Sequence, residues 1–468
     1  MAYSSITKPK DHFNTVLYTG NGGTQSITGV GFQPDYVWLK ERASDTVDHK
    51  NVDSVRGATK KLESNTDEVE GTASTTVTSF DSDGFSLGSS GATNGSSDTY
   101  VSWNWLAGGT APAITYVVKV VSDSGNKYRF DDYGTSAVTL DLQEGGTYTF
   151  DQSDSSNSGH PLRFYTASDK TGGEYTTGVT TTGTPGSSGA QTVITVAASA
   201  PTLYYQCSNH AGMGGQANTN SLFGSSNFKG AVQSLVSANT TAGFSIVKWT
   251  GTGSATTIGH GLGVAPTMIW TKNLIDANDW FVYSKAVGHG MSTPDPETDY
   301  LKLNQVNART DDSSAWNDTA PTSTVFSVGN ASNSNGSSDG MVAYCFTDIK
   351  GYSKIGGYTG NGNADGPFIY TGFKPAFVIF KRIDGGSENW LMYDSTRNPS
   401  NVIDKRLYPD TQDTEDTGSH MDFCSNGIKL KTSTGGLNSS GAVYLFMTFA
   451  ENPFVANDSG TVVPTTAR

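Results

Sequence analysis

The amino-acid sequence predicts an all-β protein made of repeated β-sandwich modules. Three observations lead there: a turn-forming composition, an internal pattern met three times, and one segment that interrupts it. Gly occurs 55 times in 468 residues and charged side chains make up only 16%, which favours tight turns and half-buried strands over helices rich in Ala, Leu, Glu and Lys. The 21 Tyr, 21 Phe and 8 Trp supply large apolar surfaces, and the length exceeds what a single core supports.

The repeats open on an aromatic followed by a Gly turn: Tyr18-Thr19-Gly20, Trp249-Thr250-Gly251 and Tyr358-Thr359-Gly360. A proline then enters an apolar run in each, at Pro34, Pro266 and Pro375, where a strand can begin. Repeats two and three carry Trp280 and Trp390 before a short apolar run, while repeats one and three share Asp53-Ser54-Val55-Arg56 and Asp394-Ser395-Thr396-Arg397. A short strand follows in each, at 84–87, 325–328 and 427–430, and a polar turn then leads into a closing aromatic strand. Agreement in order and spacing makes the unit about 100 residues, the size of one β-sandwich domain.

The reading divides the chain into repeat one at 1–112, an insert at 113–216, a connector at 217–243, repeat two at 244–353 and repeat three at 354–468. The insert alternates short strands from 114 to 207 on a pattern of its own. Within the connector, the stretch 233–236 reads either as a strand or as one helical turn.

The insert holds the constellation with chemical potential. Cys207, His210 and Met213 follow the strand at 202–205 on one turn, and His160 lies in an earlier loop. One thiolate and two imidazoles, with a weak axial thioether, form the donor set of a type 1 (blue) copper site. Gly212, Gly214 and Gly215 permit the tight turn this spacing needs. The insert resembles the cupredoxin family, whose shortest ligand loops have similar spacing. The resemblance implies a Greek-key β-sandwich with His160, Cys207, His210 and Met213 as copper ligands, supported by the backbone near Asn157 or Gly159.

The remaining features exclude more than they suggest. A net charge of −14 opposes binding to nucleic acid or anionic membranes. The opening residues do not read as a signal peptide, no apolar run is expected to span a bilayer, and three cysteines argue against a disulfide framework. No phosphate-binding loop appears, and the acidic stretch Asp295, Glu297, Asp299 reads as solvated surface, so no enzyme activity is expected. Trp103, Trp105, Trp280 and Trp390 recur at similar places in the repeats, which points to core packing rather than to sugar stacking.

The segments 237–273, 341–382 and 443–454 resemble a repeat family of structural proteins from tailed, often marine, bacteriophages. This resemblance implies a virion protein made in the host cytoplasm, such as a homotrimeric tail fibre, knob or head-surface appendage contacting other virion proteins and a host receptor or glycan. A copper redox protein and a carbohydrate-binding spike are the alternatives.

Overall fold

The computed structural model describes residues 4–453 apart from 45, 221 and 293, so the far end of the third predicted repeat lies outside the described residues. The fold is all-β. Each repeat centres on a main antiparallel sheet in which four recurring strands run in the order first, last, second, third. In repeat one these are Phe13–Thr19, Thr99–Trp105, Tyr36–Glu41 and Lys50–Asp53. In repeat two they are Phe244–Thr250, Gly340–Phe346, Met268–Asn273 and Phe281–Ser284. In repeat three they are Ser353–Thr359, Val443–Pro453, Phe373–Arg382 and Leu391–Asp394. A second sheet covers one face of each main sheet and contains the short strands Gly84–Leu87, Val325–Val328 and Gly427–Leu430 read from the sequence.

The second and last strands of each main sheet are buried on both faces, which explains why they read as nearly continuous apolar runs rather than as alternation. One face packs on the repeat's own core, as Val37 and Leu39, Ile269, and Val378 and Phe380 do. The other face enters a single core shared by all three repeats, built from Trp38, Trp103 and Trp105, from Trp270, Tyr344 and Phe346, and from Phe377, Met447 and Phe449. Rings of different repeats touch directly: Trp38 meets Trp270 edge-on at 5.7 Å, Phe13 stacks on Phe449 at 5.0 Å, and Phe346 meets Phe449 at 6.2 Å. The tryptophans 103, 105, 280 and 390 are all fully buried. The modules therefore close into a ring instead of standing in series.

The ring is locked by contacts that recur cyclically. The next-to-last residue of each second strand, Lys40, Lys272 or Lys381, is a buried lysine whose ammonium donates to a backbone carbonyl of its own repeat and to one of a neighbour. Lys40 reaches Gln412 of repeat three, Lys272 reaches Asp67 of repeat one, and Lys381 reaches Val306 of repeat two. Burial pulls all three down to a pKa of about 8. The residue before each third strand repeats the circuit: Trp280 and Trp390 donate their indole N–H to the carbonyls of Glu63 and Lys302, and His49 places Nε2 on that of Tyr408. Backbone bonds run around the ring in the opposite sense, from Glu70 to Leu274, Arg309 to Ile383 and Glu415 to Arg42.

The polar turn shared by the repeats has a local purpose. Asn94, Asn335 and Asn438 are fully buried, each accepting a backbone N–H from the opening Gly turn and donating to one carbonyl at the end of that turn and to another six residues before itself. Pro375 departs from the expected position. Pro34 and Pro266 precede their strands, but Pro375 sits inside Phe373–Arg382 at a bulge, where the missing N–H disturbs no regular pairing.

The insert is a separate two-sheet sandwich with its own core. Its last strand is Gln216–Asn220, so the insert runs past the boundary read at 216. The connector contains the strand Ser234–Asn239, which settles the choice at 233–236 in favour of a strand. Ser225–Asn227 pairs with that strand while Tyr116 and Tyr148 of the insert bond to Ser226 and Ser225, and Phe228 enters the insert core. Insert and ring thus share one segment.

Replacing Lys272 by Met takes the donor from the part-buried carbonyls of Asp67 and Asn278 and is expected to cost about 1 kcal/mol, read as a lower denaturation midpoint. His49 gives a pH dependence. Its Nδ1 accepts from the Trp38 indole and its Nε2 faces a carbonyl, so the buried ring is neutral and its pKa lies well below the ordinary value, chiefly through burial. Stability from neutral His49 is complete above about pH 6.5 and is lost as pH falls below that. The stability gap between the wild type and His49→Gln is expected to be widest at pH 7.5 and to narrow toward pH 4.5.

Candidate metal centre

The insert's sandwich brings two loops together at the end of one strand pair. Leu162–Tyr165 pairs antiparallel with Leu203–Cys207, with Leu162 opposite Cys207, so His160 is carried to the same end of the sheet as the thiol. The His160 loop is rigidly held. Asp154 caps the turn Ser155–Asn157, and buried Asn157 donates to the Val118 carbonyl at 2.8 Å and accepts the His160 N–H on its own carbonyl at 2.8 Å. The His160 carbonyl in turn accepts from the Tyr128 hydroxyl at 2.8 Å and the Gln152 amide at 2.9 Å. Two further bonds join the loops, Ser208 N–H to the Pro161 carbonyl at 3.0 Å and the Asn209 amide to the Gly159 carbonyl at 2.9 Å.

The candidate ligand atoms converge. His160 Nδ1 lies 3.9 Å and His210 Nδ1 lies 3.5 Å from Cys207 Sγ, and the two imidazole rings are 4.7 Å apart between centroids. Among the described residues this is the one cluster of His, Cys, Asp or Glu side chains with such convergence. The spacing fits a bound ion: bonds of about 2.3 Å to sulfur and about 2.0 Å to nitrogen, about 120° apart, set sulfur and nitrogen about 3.7 Å from each other. Both imidazoles present the same nitrogen, and Cys207 is fully buried while His210 is exposed. Burial, followed by the neighbouring His210 ring, lowers the pKa of His160, which favours the neutral ligand form.

Met213, the fourth expected ligand, is buried in the same apolar cluster as Cys207, and its carbonyl accepts the Tyr128 N–H at 2.8 Å. The turn that carries it depends on glycine. A Cβ at Gly214 would lie 1.6 Å from the Tyr205 carbonyl oxygen, and Gly212 has φ +70°. The support expected near Asn157 and Gly159 is present as described. Sequence reasoning did not single out Tyr128, Gln152 and Lys170. Tyr128 and Gln152 serve through backbone contacts that leave no ligand-like spacing, and Lys170 donates to the carbonyls of Cys207 and Ser208 from a remote turn.

A family model described as a domain of unknown function, DUF7483, matches residues 8–142 and 216–453. The chain belongs to the DUF7483 family. All four candidate ligands fall between the two matched stretches, so the DUF7483 match covers the ring repeats and leaves the ligand loops outside. No curated protein and no solved structure matches the chain. Among the described residues, no helix is long and apolar enough to cross a membrane.

The contact at Gly214 predicts that Gly214→Ala destabilises the insert by more than about 2 kcal/mol, since backbone has to move to admit the methyl group. Limited proteolysis is expected to cleave the insert of this variant first and to spare the ring.

Proposed function

We propose that the chain is a structural, non-enzymatic protein of a tailed-phage virion, a tail-fibre, knob or head-surface appendage. The observation that carries this reading is the closed ring. Three repeats commit their aromatic side chains and buried lysines to one another, which suits a rigid scaffold that displays inserts and outer loops. The sequence resemblance to phage repeat proteins supplies the setting. The proposed partners are other virion proteins and a host-surface receptor or glycan, with three copies of the chain associating further. Burial of the recurring tryptophans weighs against sugar stacking on them.

Peptides of this chain are expected in mass spectra of purified particles, with density for it on the outer surface of a particle reconstruction. Density at the portal or inside the capsid would overturn the assignment.

A second reading concerns the insert and rests on the convergence of His160, Cys207 and His210. We propose that it is a cupredoxin-like domain holding copper through these three side chains, with Met213 as the weak fourth ligand. Bound copper would supply one-electron transfer. The chain itself fixes the ligands in advance: Tyr128 and Gln152 hold the His160 carbonyl, Asn209 ties the loops, and the apolar cluster keeps water from the thiol.

Addition of copper to the purified chain is expected to produce the intense thiolate charge-transfer absorption of a blue site, abolished in Cys207→Ser. Absence of both the absorption and copper by mass spectrometry would refute this second reading.

A further inference from the structure

The loop from Cys207 to Met213 is gripped by lysines at both ends. Lys127, on the strand Asn126–Phe130, donates its ammonium to the Gly212 carbonyl. Lys170 donates to the Cys207 carbonyl at 3.1 Å and to the Ser208 carbonyl at 3.2 Å, while its ammonium lies 5.9 Å from the centre of the Tyr165 ring.

Lys170 reaches this position at a conformational cost. Its φ is +69°, in the left-handed region that a residue with a Cβ seldom occupies. The turn around it is bonded to hold that shape. Lys170 N–H donates to the Ala167 carbonyl at 3.0 Å, Gly173 N–H to the Lys170 carbonyl at 3.2 Å, and Thr171 N–H to Asp169 Oδ1 at 3.0 Å. Glycines stand at 172 and 173, yet the left-handed position before them carries a long cationic side chain. Such strain persists where the surrounding structure uses its result.

Resting on the copper reading, we infer that Lys170 is a positioning residue that sets the reduction potential of the insert's metal centre through the peptide of Cys207. Two effects act in the same direction. The oxidised centre carries one more positive charge than the reduced one, so a fixed ammonium beside the ligand peptide favours the reduced form. Hydrogen bonds donated to the Cys207 and Ser208 carbonyls also draw electron density from the thiolate side of the peptide and stiffen the loop. Both raise the midpoint potential.

The test uses the full chain, metal-free and copper-loaded, as wild type, Lys170→Gly and Lys170→Arg. Gly relieves the left-handed backbone while deleting the charge and its two carbonyl bonds, opposing effects that are expected to leave metal-free K170G folded and melting close to the wild-type temperature. Its copper-loaded form is expected to show a lower midpoint potential against a redox mediator, with K170R close to wild type. A merely structural lysine would leave the potential unmoved. Copper-loaded K170G with the wild-type potential would overturn the inference and leave the copper reading standing. A wild type that takes up no copper would sink both.

Discussion

The structure depends on a core that belongs to no single repeat. Each main sheet has two apolar faces, and a second sheet covers only one of them. The other face, with Trp38, Trp270 and Phe377 near its middle, would be an exposed patch of aromatic surface on an isolated module. Closing three such faces on one another removes the patch, and the cyclic lysine and indole bonds set the register of closure. The lysines are the telling choice. A buried ammonium that donates to carbonyls of two repeats is satisfied only when both are in place, so the same bonds that stabilise the ring penalise any arrangement that leaves it open.

A scaffold closed in this way tolerates insertion at its joints. The insert enters after the last strand of repeat one and leaves before the first main-sheet strand of repeat two. Its attachment is more than a tether, because Ser225–Asn227 is a strand of the ring that also receives bonds from the insert, and Phe228 seals the insert core. The loops that carry His160 and Cys207 are therefore held by the insert's own fold while the insert is held by the ring.

Much of this was legible in the sequence because it is written locally. The three Gly turns, the closing aromatic strands and the short strands at 84–87, 325–328 and 427–430 are set by period and turn chemistry, and the structure places strands there. The convergence of His160, Cys207 and His210 was legible because ligand chemistry demands those residue types at that spacing. The ring was not. Continuous apolar runs announce burial on both faces but not what lies against the second face, and Lys40, Lys272 and Lys381 look like ordinary strand-end charges until their neighbours are known. His49 is the clearest case: it occupies the place of Trp280 and Trp390 and makes the equivalent contact, yet its side chain shares no pattern with theirs. Pro375 shows the converse, a matching residue that the structure uses differently, inside a strand at a bulge.

The molecule is one ring carrying a sandwich that has its own core and its own proposed copper loops. Differential scanning calorimetry of the full chain, with and without an excess of copper, tests this most directly. Two transitions are expected, of which copper raises only that of the insert, because a ligand stabilises the unit that binds it. A copper-induced rise in the ring transition, or two transitions that copper leaves unmoved, would contradict the account.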